Sequence, residues 1–434
     1  MHTDTTTLTL DHCLALDRAD PLRHLRDQFD LPADLVYLDG NSLGALPCSA
    51  VARVADAVTA QWGQGLIRSW ISAGWISLPQ RLGDKIALLV GASPGTVVAT
   101  DSTSVNLFKV LSAALGIAAQ DAPHKRVILS ERSNFPTDLY IAQALCKERG
   151  YTLVLQDGAQ IMQGITEQVA VVLLTHVNYR TGAMFDMAAV TTAAHAAGAL
   201  VVWDLAHSAG AVPLQLEADH ADFAVGCGYK FLNGGPGAPA FVWVNPRHSD
   251  RFWQPLAGWF GHAAPFAFTP DYQPAAGITR YLCGTPPVLS MTALECGLDS
   301  VLAAQDAVPG KSVMGALRSK SLALADLFIN LVEARCAGHG LVLETPREHA
   351  RRGSQVSLSH KTGAYGIMQA LIARGVVGDF RAGDGGQHPD ILRFGLTPLY
   401  LRFADVWQAA EQLRLVLHSG EWQQPRFNQR QMVT

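Results

Sequence analysis

The sequence predicts an α/β fold: a doubly wound, mostly parallel central sheet in a large domain, with a second, smaller α/β unit. Three observations carry this. Short β-rich runs recur between about residues 95 and 245 with helix-like segments between them, and several are apolar at consecutive positions, as in strands covered on both faces. Beyond Met291 a long helical stretch leads into a second group of shorter strands.

In order, the first runs are RVILS from Arg126, TLVLQ from Thr152, VAVVLLTHV from Val169, ALVVWDLAH from Ala199, DFAVGCGYK from Asp222 and AFVWVN from Ala240. Crossover helices fit between them at Thr137–Arg149 and Met187–Ala197, closed by Gly150 and Gly198, where a left-handed cap favours glycine. The long helical stretch runs through KSVMGALRSKSLALADLFINLVEARC to Gly338, followed by LVLET, QVSLS and ILRFGL, with helices at Tyr365–Ala373 and Ala404–His418. NGGPGAP from Asn233 and the segment Pro255–Pro287 read as shaped loops, because aromatic residues are interleaved with their glycines and prolines. The expected division is an N-terminal segment 1–55 that joins the small domain, a large domain 56–300 and a C-terminal small domain 301–434.

A chain of 434 residues suits two or three domains. With 49% apolar and only 16% charged residues, it belongs to packed proteins rather than disordered ones. A net charge of −4 without charge runs leaves no footprint for nucleic acid or an anionic membrane, so a small molecule is the expected partner. Seven scattered cysteines without C-x-x-C spacing argue against a zinc site or a disulfide framework, and fit reduced thiols in the cytoplasm. No metal is expected. The first ten residues lack the basic start and apolar core of a signal peptide, and no run reaches membrane-spanning length.

Ligands of doubly wound sheets bind beyond the carboxyl ends of the strands, which selects Thr175, Asp204, His207 and Lys230. Lys230, between Tyr229 and Phe231 and behind Gly226, Cys227 and Gly228, should lie in poorly hydrated surroundings that favour a neutral, nucleophilic amine. Taken singly, Asp204 could cap a turn and Lys230 could reach along the surface to water. Together they suit pyridoxal phosphate, whose aldehyde needs a lysine and whose pyridine nitrogen needs a carboxylate to stay protonated. Thr103 and Ser104 stand just ahead of an apolar helix-like run, a place for a phosphate or for an ordinary N-cap. Nucleotide-binding and serine-hydrolase readings fail, because neither GCGYKF nor NGGPG completes a phosphate-loop pattern and no G-x-S-x-G occurs.

DGNSLG (39–44), DSTSVNLFK (101–109), SNFPTD (133–138), THVNYRTG (175–182), WDLAHSAGAVP (203–213), GCGYKFLNGGPGAPAF (226–241) and LAGWFGH (256–262) occur in order over almost the whole chain. Together they resemble the kynureninase family, within the class V aminotransferase-like group of pyridoxal phosphate enzymes. The resemblance implies the fold type I architecture of these transferases, a homodimer, and hydrolysis of L-kynurenine to anthranilate and L-alanine in tryptophan catabolism. It implies that Lys230 forms a Schiff base with the cofactor, Asp204 pairs with the pyridine nitrogen and Phe135 stacks on the ring. Asp138 would lie at the pyridine edge, with Thr175 and His207 fixing the cofactor's orientation. Thr103, Ser104, Tyr229 and Trp259 would surround the phosphate, with Thr285 supplied by the second subunit, and Tyr229 would be the acid/base helper. Arg393 would hold the substrate α-carboxylate, with Asn41, Ser42 and Trp70 lining the substrate end. A related cysteine desulfurase or aminotransferase would share Asp204 and Lys230, with Cys283 the candidate desulfurase thiol. A non-catalytic binding protein is the remaining alternative.

Overall fold

The central sheet has seven strands: β1 (Val97–Thr100), β2 (Val127–Glu131), β3 (Thr152–Gln156), β4 (Val169–Thr175), β5 (Leu200–Asp204), β6 (Phe223–Gly226) and β7 (Ala240–Val244). Their order is β1-β7-β6-β5-β4-β2-β3; β7 runs antiparallel to both its neighbours and every other pairing is parallel. The structure is a computed structural model and describes residues 9–252, 254–386 and 388–430. It divides into two compact units: the larger holds 49–179 and 185–298, the smaller the described residues up to Cys48 with 180–184 and those from Asp299 on.

Every residue of β4 is buried, which explains why its seven residues show no alternation. Burial of each such Val or Leu side chain contributes about 1.5–3 kcal/mol before conformational entropy is counted. Helices α1 (Leu78–Val90), α2 (Thr103–Asp121), α3 (Pro136–Arg149) and α4 (Met187–Ala196) belong to this unit. Pro136 opens α3 where no amide donor is needed, and Gly150 ends it at φ 71°. Ser102 caps α2 by accepting from the Val105 N–H, so Thr103 is already the first helical residue instead of standing ahead of the helix.

The long helical stretch expected after Met291 is two helices, α5 (Val288–Leu302) and α6 (Val313–Arg335). Pro309-Gly310 lies between them, and Gly310 takes φ 73°, a combination that helical continuation cannot accept. In the smaller unit, β8 (Leu341–Leu343), β9 (Gln355–His360), β10 (Asp379–Arg381) and β11 (Ile391–Gly395) form an antiparallel sheet in the order β8-β9-β11-β10. Helices α7 (Ala364–Ala373) and α8 (Phe403–Ser419) complete that unit. No helix among the described residues is long and apolar enough to cross a membrane.

Candidate active site

Parallel register brings the strand-end residues together. Thr175 at the end of β4 is directly opposite Asp204 at the end of β5, and Asp204 is opposite Val225 on β6, the strand that leads to Lys230. After β6 the chain turns sharply: a Cβ on Gly228 would lie 2.3 Å from the Pro239 carbonyl oxygen, and the Gly234 N–H donates back to the Gly228 carbonyl at 2.9 Å. Only glycine tolerates the first of these approaches, and the loop it closes holds Lys230.

Thr103, Ser104, Phe135, Asp138, Thr175, Asp204, His207, Tyr229 and Lys230 line one pocket, joined there by Thr137, Tyr179 and Ala206. Lys230 Nζ lies 3.0 Å from His207 Nε2, 5.7 Å from the centre of the Tyr229 ring and 6.0 Å from that of Phe135. Asp204 is buried and accepts from the Ala206 N–H at 2.8 Å. Asp138, placed by the first turn of α3, is buried beside it. Burial pushes both carboxyls up, and the Asp204 charge raises Asp138 further. Lys230, the Ala206 N–H and Asp138 pull Asp204 back; Lys230 and the Thr175 hydroxyl pull on Asp138 too, yet Asp138 is the more strongly raised of the pair.

Asn134 orders the ring side of the pocket. Its Oδ1 accepts from the Thr175 hydroxyl and, at 2.7 Å, from the Phe135 N–H, while its Nδ2 donates to Ser130 Oγ at 3.2 Å. Tyr179 meets the Phe135 ring edge-on at 5.3 Å. The sequence reading assigned no role to Asn134, Thr137 or Tyr179, although each lies inside a motif already singled out.

Trp259 and Thr285 are not among the residues lining this pocket. Trp259 packs on Phe260 and Phe266 at 5.0 and 5.8 Å, and Thr285 is exposed. Trp70 sits between Trp75 and Phe260, with centroids 6.0 and 6.1 Å away.

The smaller unit gathers Arg393, Asn41 and Ser42. Arg393 on β11 is directly opposite Asp379 on β10, and its Nη2 donates to Asp379 and, at 2.7 Å, to Ser42 Oγ. Arg381 Nε approaches the same Asp379 carboxylate at 2.8 Å. Burial, then the Asp379 charge, pushes the nearby Asp39 carboxyl up to about 6. Asn41 is fully buried, yet neither atom of its side-chain amide has a hydrogen-bond partner among the described residues. Such a group carries a desolvation cost that a polar ligand can relieve.

The donor set in the larger unit fits pyridoxal phosphate: a buried carboxyl for a ring nitrogen, a lysine for an aldehyde, an aromatic face, and a 19-residue helix whose N-terminus brings two hydroxyls that suit a phosphate. Fold and site together define a class V aminotransferase-like enzyme dependent on that cofactor. The aminotransferase class-V family model matches residues 36–311, and the kynureninase C-terminal domain model matches 317–413. Kynureninases of Burkholderia pseudomallei and Pseudomonas fluorescens are 57% and 56% identical to the chain over 98% of its length and the whole of theirs. Among solved structures, the cysteine desulfurase CsdA of Escherichia coli superposes with a TM-score of 0.74 at 21% identity, covering 92% of this chain and 98% of its own. The cystine C-S lyase C-DES, in a mutant with glycine covalently linked to its cofactor, also gives 0.74, at 17% identity over 89% and 98%. These two likenesses speak to the fold alone. The chain belongs to the kynureninase family, hydrolases that act on carbon–carbon bonds.

Proposed function

We propose that the protein hydrolyses L-kynurenine at the Cβ–Cγ bond, giving anthranilate and L-alanine, with 3-hydroxykynurenine as a second possible substrate of the same site. The carrying observation is the convergence of Lys230, Asp204, Asp138 and the α2 N-terminus on one pocket, in a chain 57% identical to kynureninases throughout. When bound, pyridoxal phosphate supplies an aldehyde for the substrate amine and a ring that accepts electrons from the α-carbon.

The chain's own residues do the rest. Lys230 would hold the cofactor and would be the base for the proton on the substrate α-carbon, with His207 Nε2 within hydrogen-bond reach at 3.0 Å. Asp204 would keep the pyridine nitrogen protonated, with Asp138, the more strongly raised carboxyl of the pair, beside it. Phe135 covers the ring face, and Thr103 and Ser104 hold the phosphate. Tyr229 delivers and accepts protons at the leaving carbon. Arg393 binds the α-carboxylate, with Asn41 and Ser42 beside it and Trp70 toward the aromatic end.

A second copy of the chain supplies Trp259 and Thr285, which explains their positions outside the single-chain pocket. Seven free cysteines suit the reducing cytoplasm, where tryptophan catabolism and NAD biosynthesis would use the products. A desulfurase is disfavoured, since only the fold points there and Cys283 is the one half-buried thiol beside a glycine.

Product analysis tests the reading. Purified protein given L-kynurenine should yield anthranilate and alanine in equal amounts, and borohydride should fix the cofactor to one peptide containing Lys230. Lys230→Ala should lose nearly all turnover. Alanine without anthranilate, or labelling at another lysine, would sink it.

A further inference from the structure

The larger unit contains a lysine that the proposed chemistry does not use. Lys109, on the second turn of α2, is fully buried, which is costly for an ammonium group unless it is paired. Its Nζ donates to the Asp101 carboxylate and, at 2.6 Å, to the Tyr281 carbonyl. Asp101 is the residue before the N-cap Ser102 and two before Thr103. It takes a left-handed conformation at φ 42°, unusual for a residue with a side chain.

Two further bonds secure the same turn: Thr100 Oγ1 donates to Asp101 at 2.8 Å, and the Ala240 N–H donates to the Asp101 carbonyl, also at 2.8 Å. The Asp101 side chain keeps 30% of its exposure, so its charge is felt at the mouth of α2. An uncompensated carboxylate there would repel a phosphate dianion at the helix N-terminus.

We propose that Lys109 is a positioning residue for the cofactor phosphate: it cancels the charge of Asp101 and ties the turn ahead of α2 to Tyr281, so that the α2 N-terminus is presented as an anion site. The proposal rests on the reading that Thr103 and Ser104 hold the phosphate. Both effects act in one direction, since loss of Lys109 frees the turn and restores the repulsion.

The measurement is the affinity of the apoprotein for pyridoxal phosphate and for pyridoxal, which lacks the phosphate. Lys109→Met, close in length but neutral, should weaken pyridoxal phosphate binding by about tenfold or more, leaving pyridoxal within about twofold of wild type. The D101N/K109M double variant, which buries no lone charge, should regain part of the loss because the repelling carboxylate has gone. A merely structural lysine would weaken both ligands alike. That result, or an unchanged preference for the phosphorylated ligand in Lys109→Met, overturns the proposal. T103A/S104A separates the two levels: if it keeps the phosphate preference, the cradle reading falls and the proposal with it. If it loses the preference while Lys109→Met keeps it, only the role of Lys109 falls.

Discussion

Arg393 is 1% exposed and already shares its charge with Asp379, so the proposed substrate site is a preset guanidinium rather than a bare buried cation. The cost of orienting its planar fork is met in the fold, before any ligand arrives. Loss of a buried, charge-assisted contact to a ligand carboxylate costs about 2–5 kcal/mol, so Arg393→Ala should lower kcat/KM roughly 30-fold to several thousand-fold. Asp379 would retain Arg381 as a partner, which limits the damage to the fold. Lysine at position 393 should recover only part of the activity, because a point charge cannot copy the fork. The control is a kynurenine analogue without the α-carboxylate, on which wild type and Arg393→Ala should perform nearly alike. Equal impairment on both compounds would mean that Arg393 serves the fold and not the substrate. At the same scale Asp204 and Asp138 illustrate how one pocket treats two carboxyls differently: burial raises both and Lys230 pulls both back, but Asp204 also gains the Ala206 N–H, whereas the Asp204 charge pushes Asp138 up further.

The strands carry two kinds of residue at their two ends. At the carboxyl ends lie Thr175 and Asp204; at the opposite end, just before β6, Asp222 is fully buried and receives His195 from the end of α4, Arg247 and His248 from the turn after β7, and the Val201 N–H of β5. Burial alone would push the Asp222 carboxyl up, but these donors outweigh it and hold it well below the usual carboxylate range. A carboxyl depressed in the folded state contributes stability that is present above its unfolded value of about 3.9 and is lost as pH falls through the folded value. Asp222→Asn should therefore cost about 3 kcal/mol at pH 7, and the gap in unfolding free energy from wild type should narrow steadily below about pH 4. kcat of the folded variant should stay near wild type, since the cluster lies at the far end of the strands from Lys230. A pH-independent gap would show that the carboxylate charge is not what stabilises. This division of strand ends was half legible in the sequence. Apolar runs ending in Thr175, Asp204 and Lys230 announced the site, because the parallel sheet puts such residues in one place whatever their spacing along the chain. The pairing of Asp379 with Arg393 was hidden, because β10 has three residues and no readable alternation, and register alone makes them neighbours. Lys109 was hidden differently: it reads as one more polar residue on a helix, and its partners Asp101 and Tyr281 are set by the tertiary fold.

A folded chain of this size should expose few contiguous large apolar side chains, yet the segment from Val51 to Ile71 in the larger unit does so repeatedly. Trp62 and Leu66 are exposed, and Ile67 and Ile71 retain 77% and 76% of their accessible surface. Such a strip suits a surface that another molecule would cover. The second copy of this chain proposed above would cover it and also complete the site, since Trp259 and Thr285 lie outside the pocket that their proposed phosphate contacts require. On that reading assembly and cofactor retention are one equilibrium, and whatever separates the subunits also weakens the phosphate cradle. Replacement of both Ile67 and Ile71 by glutamate should therefore shift the protein toward monomer in sedimentation velocity and raise the concentration of pyridoxal phosphate needed for half-saturation. The same coupling should appear without mutation: on serial dilution of wild type, activity should fall together with the dimer fraction, and excess cofactor should delay both losses. Neither Ile67 nor Ile71 lines the Lys230 pocket, so a defect in cofactor binding must travel through the partner. A monomer with full cofactor occupancy and full turnover would show that one chain holds the whole site, and would return Trp259 and Thr285 to roles in packing.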